Sequence, residues 1–175
     1  DLTQQGQPVI DERLGRQARM VLALGALANN ARLVQQDGRW AIQGDPTEGA
    51  LVVAAQKLGI TESSLGERFQ RVGEVPFSSE RKMMSAFFTD AQREGQVAIA
   101  AKGAPDVLLA RCTHERVDEA EVPLTPQRAE AIQAAIDSLA HEALRTLGVA
   151  YRYLHQDAVS GALSEDHEQE LVFVG

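Results

Sequence analysis

Residues 72–101 read VGEVPFSSERKMMSAFFTDAQREGQVAIAA, and the fold class follows from this stretch. Val72–Phe77, Met83–Thr89 and Gln96–Ala101 are apolar runs rich in β-branched, aromatic and small residues. Only Ser78–Lys82 and the polar turn Asp90–Gly95 separate them. Links this short make hairpins, so the three runs are expected to be consecutive antiparallel strands. Val97, Ile99 and Ala101 alternate with small residues, which predicts a strand covered on both faces.

Working outward, Gly103-Ala104-Pro105 breaks the third strand into a short helix through Leu109, and His114–Pro123 reads as an acidic loop. Upstream, Asp45-Pro46-Thr47-Glu48 opens a helix: Asp45 caps, Pro46 takes the first helical position, and Glu48 stands where a capping-box carboxylate reaches back. Leu51, Ala54, Ala55 and Leu58 supply its buried face, and Gly59 closes it. Before it, Asp37-Gly38 joins two short runs within Arg32–Gly44, a hairpin signal. Leu14, Ala18, Val21, Leu24 and Ala28 recur at steps of three and four, a helix within Asp11–Asn30 that Asn29-Asn30 ends. Downstream, Thr125-Pro126 starts a helix with Ile132, Ile136, Leu139 and Ala143 on one face. Leu147–Tyr153 and Leu171–Val174 read as strands, and residues 1–10 as an extended lead-in. The whole predicts one α+β domain, a largely antiparallel twisted sheet flanked by helices.

Composition sets the outer limits on function. The chain has 175 residues, with 17 Lys and Arg against 25 Asp and Glu, a net charge of −8. Gripping a nucleic acid needs a basic face, so no nucleic-acid partner is expected. A small anionic ligand remains compatible, because a few cations can converge locally on an acidic domain. The single cysteine, Cys112, cannot form an internal disulfide, and a reducing compartment is expected. The longest apolar runs, Met20–Ala28 and Ala50–Ala55, are far shorter than a membrane span, and no secretory signal opens the sequence. His114, His141, His155 and His167 show no metal-ligand spacing, and no metal site is expected. Neither G-x-x-x-x-G-K-[ST], G-x-G-x-x-G nor G-x-S-x-G is present, so no standard phosphate loop or nucleophile elbow marks a site.

Four segments in register point further. They are Gly44–Leu51 (GDPTEGAL), Pro76–Ser85 (PFSSERKMMS), Lys102–Pro105 (KGAP) and Leu144–Arg152 (LRTLGVAYR). In this order and spacing the chain resembles the nucleotide-binding domain of P-type ATPases, the cation pumps that form an aspartyl-phosphate, and most nearly the calcium-pump-like bacterial members. The resemblance implies an ATP site. Phe77 would stack on adenine; its alternative reading is a core phenylalanine. Glu48 would accept from the adenine amino group, or close a capping box, or both. Lys102 would sit at the mouth of the adenine pocket, with a snorkelling surface lysine as the alternative, and Gly103 would let the ligand approach closely. Arg145 would reach the phosphates, where a guanidinium pairs two oxygens, or else satisfy helix C-terminal carbonyls. Arg81 and Lys82 would raise the potential around the triphosphate or form a solvated charged turn. Thr47 would be a secondary contact, and Ser79 stands where a familiar animal calcium-pump pattern has an arginine.

The phosphorylated-aspartate loop, the actuator loop and membrane helices of such pumps are missing from the sequence. The resemblance therefore implies an excised cytoplasmic domain of an integral membrane protein, monomeric by itself, without direct membrane contact and with no catalytic residue of its own. Residues 1–9 and 171–175 would be hinge strands to the phosphorylation domain, which with the actuator domain would be its partner. It would bind ATP without turnover, magnesium would accompany ATP in the intact pump, and calcium would be the favoured cargo. A nucleotide-independent binding or regulatory module of the same fold, and a small stand-alone hydrolase, are the competing readings.

Overall fold

The computed structural model describes residues 3, 4, 7, 8, 12–159 and 161–175, with side chains from Leu14 onward. Its elements are β1 (Thr3–Gln4), β2 (Gln7–Pro8), α1 (Glu12–Leu27), β3 (Arg32–Gln36), β4 (Arg39–Gln43), α2 (Pro46–Lys57), α3 (Glu62–Gly66), β5 (Phe69–Ser78), β6 (Met83–Asp90), β7 (Gln96–Gly103), α4 (Pro105–Leu109), β8 (Cys112–Val117), β9 (Ala120–Pro123), α5 (Pro126–His141), β10 (Gly148–His155) and β11 (Leu171–Phe173). Strands β1 and β2 pair with each other, and the rest of the expected lead-in over 1–10 lies outside the described residues.

The central sheet has seven strands in the order β5-β6-β7-β10-β11-β8-β9, and only the β11–β8 pairing is parallel. This is the α+β, largely antiparallel sheet that the short links predict. Helix α1 covers one face, where Leu24 and Ala28 meet Ala86, Phe88, Ala98 and Ala100. Three alanines there let the helix lie close to the strands. On the opposite face Val75, Phe87, Val97 and Ile99 pack with Leu154 of β10 and against Val159 and Leu163. Beside them, Leu108 of α4 packs with Met83, Ala101, Ala150 and Leu171. Strand β7 is thus buried on both sides, as its alternation predicts. Each fully buried side chain such as Phe87 or Ile99 contributes about 1.5–3 kcal/mol.

The structure corrects three expectations. The stretch 114–123 is no loop but most of a hairpin, β8 and β9, that pairs from Val117↔Ala120 to His114↔Pro123. Its charged residues hide the strand pattern, because Glu115 is buried through an ion pair with Arg128 of α5 at 2.9 Å. Helix α3 was not foreseen; Thr61 and Ser64 close a reciprocal capping box around it. The stripe Ile132, Ile136, Leu139 on α5 is only partly covered: no residue of that helix is buried, and Leu139 is exposed.

The far end of the sheet is pinned by Asp90, whose buried carboxylate accepts from Arg68 Nε at 2.8 Å and Nη2 at 2.7 Å and from the Tyr153 hydroxyl at 2.7 Å. The Arg68 hydrogen bonds hold this carboxyl well below the usual carboxylate range. A depressed folded pKa contributes stability that is present above the unfolded value, about 3.9, and is lost as pH falls below it. Asp90→Asn is expected to cost about 2–3 kcal/mol at pH 7. It should also flatten the loss of stability between pH 5 and 3, as urea unfolding at those pH values will show.

Candidate functional site

The site grows from the N-terminus of α2. Asp45 holds an extended backbone (φ −69°, ψ 132°), and its Oδ1 accepts from Thr47 N at 2.8 Å and Glu48 N at 3.1 Å. Those bonds, the Glu48 N–H foremost, lower the Asp45 pKa, and the charge of Arg145 adds to the effect. Arg145 is therefore within electrostatic reach of the α2 N-terminus. It is exposed, in the segment between α5 and β10. The basic residue in the last turn of α5 is His141, so Arg145 is not a helix-terminal cation.

One turn into α2, Glu48 meets the end of β7. Lys102 Nζ donates to Glu48 Oε1 at 2.8 Å, and the Asn30 backbone N–H donates to Oε2 at 3.1 Å. Lys102 is no snorkelling surface residue, since only 7% of its side chain is exposed. Burial pushes its pKa down, opposed by the hydrogen bond and charge of Glu48. The expected capping box is overturned as well: the Glu48 carboxylate turns to Lys102 and Asn30, one bond to each oxygen, and Asp45 alone caps. Around the pair, Asn29 Nδ2 donates to Glu48 O at 3.0 Å, and Asn30 Nδ2 donates to Glu74 Oε2 at 3.0 Å. Arg71 binds Glu74 and also donates to Asn29 O at 3.0 Å. The end of α1, the start of α2, β5 and β7 are thereby tied into one polar cluster.

Phe77 occupies the end of β5, after a break in register between Val75 and Ser78. Its residue is 58% exposed while Val75 is 8% exposed, so the core-phenylalanine alternative fails. Ser78 pairs with Met83, and Met83 with Gly103. At about 4.8 Å per strand, the Phe77 end of β5 lies about 10 Å from the Lys102-Gly103 end of β7. Lys82 and Ser79 are exposed on the intervening turn, and Thr47 is half-buried beside the cap.

Two roles need correction. Gly103 does not leave room for a ligand on its Cβ side: a Cβ there would lie 2.5 Å from Lys82 O and 2.5 Å from Met83 Cβ. Its missing side chain serves the close approach of the turn, sealed by Ala104 N donating to Lys82 O at 2.9 Å. Arg81 is neither a solvated turn residue nor turned toward Lys102. Its side chain is 11% exposed and reaches Glu168, which Ser85 also contacts. Ser85 alternates with Met84, the residue paired with Lys102, so Arg81 lies on the other face of the sheet.

Asn30, Arg71, Glu74 and Glu168 escaped sequence reading, because each finds its partner through the fold rather than through spacing. Only Asn29-Asn30 carried a local signal, as a helix end. Chemically, the site offers an exposed ring, a buried ammonium on a part-buried carboxylate, and exposed cations at Arg145 and Lys82. Among the described residues no group of three His, Cys, Asp or Glu is placed to hold a metal. Burial raises the Cys112 thiol to about 12, so it is no nucleophile at neutral pH. A partly open cavity of about 340 Å³ between α1, α2, α3 and β5 is lined by Asn30 and Arg71 but by neither Glu48, Phe77 nor Lys102. No helix among the described residues is long and apolar enough to cross a membrane.

Comparison with known proteins matches residues 17–175 to the family model described as P-type ATPase, cytoplasmic domain N. A calcium-transporting ATPase of Bacillus subtilis is 36% identical over 155 residues, 89% of this chain and 17% of that protein. One of Listeria monocytogenes is 32% identical over 175 residues, 100% of this chain and 19% of that protein. One of Lactococcus lactis is 33% identical over 174 residues, 99% of this chain and 19% of that protein. The chain therefore spans less than one fifth of the length of these relatives.

Proposed function

Because this chain belongs to the P-type ATPase cytoplasmic domain N family, we propose that it binds ATP and positions the γ-phosphate for transfer to an aspartate in a separate phosphorylation domain. The observation that carries this reading is the exposed ring of Phe77 at one end of a site whose other end is the buried Lys102 on the part-buried Glu48 carboxylate. An aromatic side chain held out of the core offers a stacking platform, worth about 1–3 kcal/mol per base. The Glu48 carboxylate offers an acceptor for an exocyclic amine, and the hydrogen bond from Lys102 holds it in place. Arg145 and Lys82 bring positive charge to the side where a triphosphate would extend, and Ser79 offers only a hydroxyl there. Magnesium would come bound to the ATP phosphates, since no carboxylate cluster of this site is free to hold it.

The chain's contribution to phosphoryl transfer is then positioning, which such chemistry rewards strongly. After β11 the chain runs on beside β10, with Val174 N donating to Val149 O at 3.0 Å and Val149 N to Gly175 O at 2.7 Å. That places Val174 and Gly175 along the start of β10, on the side opposite β7. A role for residues 171–175 as a hinge to the phosphorylation domain is compatible with this pairing, and the same role is proposed for residues 1–9. The names of the relatives favour calcium as the ion moved by the whole pump.

The test is an ATP titration followed by amide chemical shifts. Binding of order millimolar, about −4 kcal/mol, is expected. Shifts should cluster at Glu48, Phe77, Lys102 and Arg145, with no ATP hydrolysed by the chain alone. Phe77→Ala should weaken binding about tenfold. Absence of shifts at several millimolar ATP would instead favour a nucleotide-independent module of the same fold.

A further inference from the structure

Among the described residues, Glu168 is the one charged residue with no exposure at all. It follows the short 3-10 turn Glu165–His167 and precedes β11. Arg81 Nη2 lies 2.5 Å from each of its carboxylate oxygens, Ser85 Oγ donates to Oε1 at 2.7 Å, and Arg111 Nη1 approaches Oε2 at 3.5 Å. The other arm of the same guanidinium reaches back along the turn: Arg81 Nη1 donates to the Pro76 carbonyl at 2.9 Å. Within the turn, Arg81 N donates to Ser78 Oγ at 3.1 Å and Lys82 N to Ser78 O at 2.8 Å. One planar group thus bridges the residue just before Phe77 and a carboxylate anchored to β6 and to the start of β8.

A buried ion pair is a poor source of net stability, because desolvating both charges offsets most of their attraction. What this one supplies is a fixed conformation for a surface turn. Phe77, Ser79, Glu80 and Lys82 are all exposed, and packing alone would leave such a turn free to move. We infer that Glu168 is a positioning residue for the base-stacking ring: through Arg81 it fixes the 76–82 turn and holds Phe77 in the orientation that meets the base. The fixing of the turn is independent of any ligand; its consequence for nucleotides rests on the function proposed above.

The experiment uses Glu168→Gln and Arg81→Lys in the full chain, each first checked for an intact amide spectrum. Arg81→Lys keeps a charge opposite Glu168 but cannot span to Pro76, so it serves even where Glu168→Gln does not fold. Both variants are expected to speed hydrogen exchange at the amides of residues 77–82, with the β6 and β7 amides unchanged. ATP and AMP affinity should fall by the same factor, about fivefold, because the base is what loses its platform. Combined with Phe77→Ala, neither variant should weaken binding further than Phe77→Ala alone. If the wild type binds no nucleotide, the proposed function falls and the 77–82 amides still decide the inference. Unchanged exchange at those amides in a folded variant overturns it, and so do losses that add to that of Phe77→Ala.

Discussion

Glu48→Ala is expected to lower the stability of the domain at pH 7 by about 3 kcal/mol, well beyond the loss of an exposed ion pair. Its partner Lys102 has a side chain only 7% exposed, and deleting the carboxylate strands that ammonium in the protein interior. The pH dependence identifies the cause. Burial already sets the Lys102 pKa below the ordinary 10.5, so the folded protein releases this proton at lower pH than the unfolded chain. Between the two values the unfolded chain binds more protons, and stability rises with pH. Removing Glu48 takes away the main influence opposing that shift and widens the window. The deficit of Glu48→Ala should therefore shrink between pH 7 and pH 10. Replacing both residues, as Glu48→Leu with Lys102→Met, should recover most of the stability while abolishing ATP binding. Urea midpoints at the two pH values decide the matter; a deficit independent of pH means that the unpaired ammonium is not its source.

Gly103→Ala is the second large effect, expected to cost at least about 3 kcal/mol. The added Cβ would meet Lys82 O at 2.5 Å and Met83 Cα at 2.8 Å, atoms of backbone that cannot rotate away. To make room, β7 and the turn before β6 must separate, which breaks the Ala104–Lys82 hydrogen bond and moves the strand that carries Lys102. Gly15→Ala is the control: it sits in α1 with nothing within 4 Å of the new Cβ, and it should stabilise by about 0.5–1 kcal/mol. Thermal unfolding of the two variants beside wild type gives the comparison. Equal and opposite small shifts would mean that the Gly103 contact yields more easily than its geometry implies.

The elements legible in the sequence are those whose causes are local. Asp45-Pro46 marks the start of α2 because the cap bonds reach only two and three residues ahead. Asp37-Gly38 marks its hairpin because both residues adopt the positive φ, 49° and 75°, that such a turn needs. The alternation in 96–101 announces a strand covered on both faces because side chains change face at each residue. The hairpin β8–β9 was not legible. Its charges look solvent-bound until Glu115 meets Arg128 and Glu121 accepts the Tyr151 hydroxyl at 2.5 Å.

For the site, the resemblance carried by four segments in register marked Glu48, Phe77, Lys102 and Arg145 as candidates, and pointed to the family of the chain. Tertiary structure alone decided that Phe77 is held out of the core, that Lys102 is buried on Glu48, and that Arg81 turns to the other face to reach Glu168. It also decided that the close approach at Gly103 is made by the chain itself. The reason is the reach of the forces involved. Caps, turns and strand periodicity are set by a few neighbouring residues. Desolvation and ion pairing depend on partners that only the completed sheet brings together, 54 residues apart for Lys102 and Glu48 and 87 for Arg81 and Glu168.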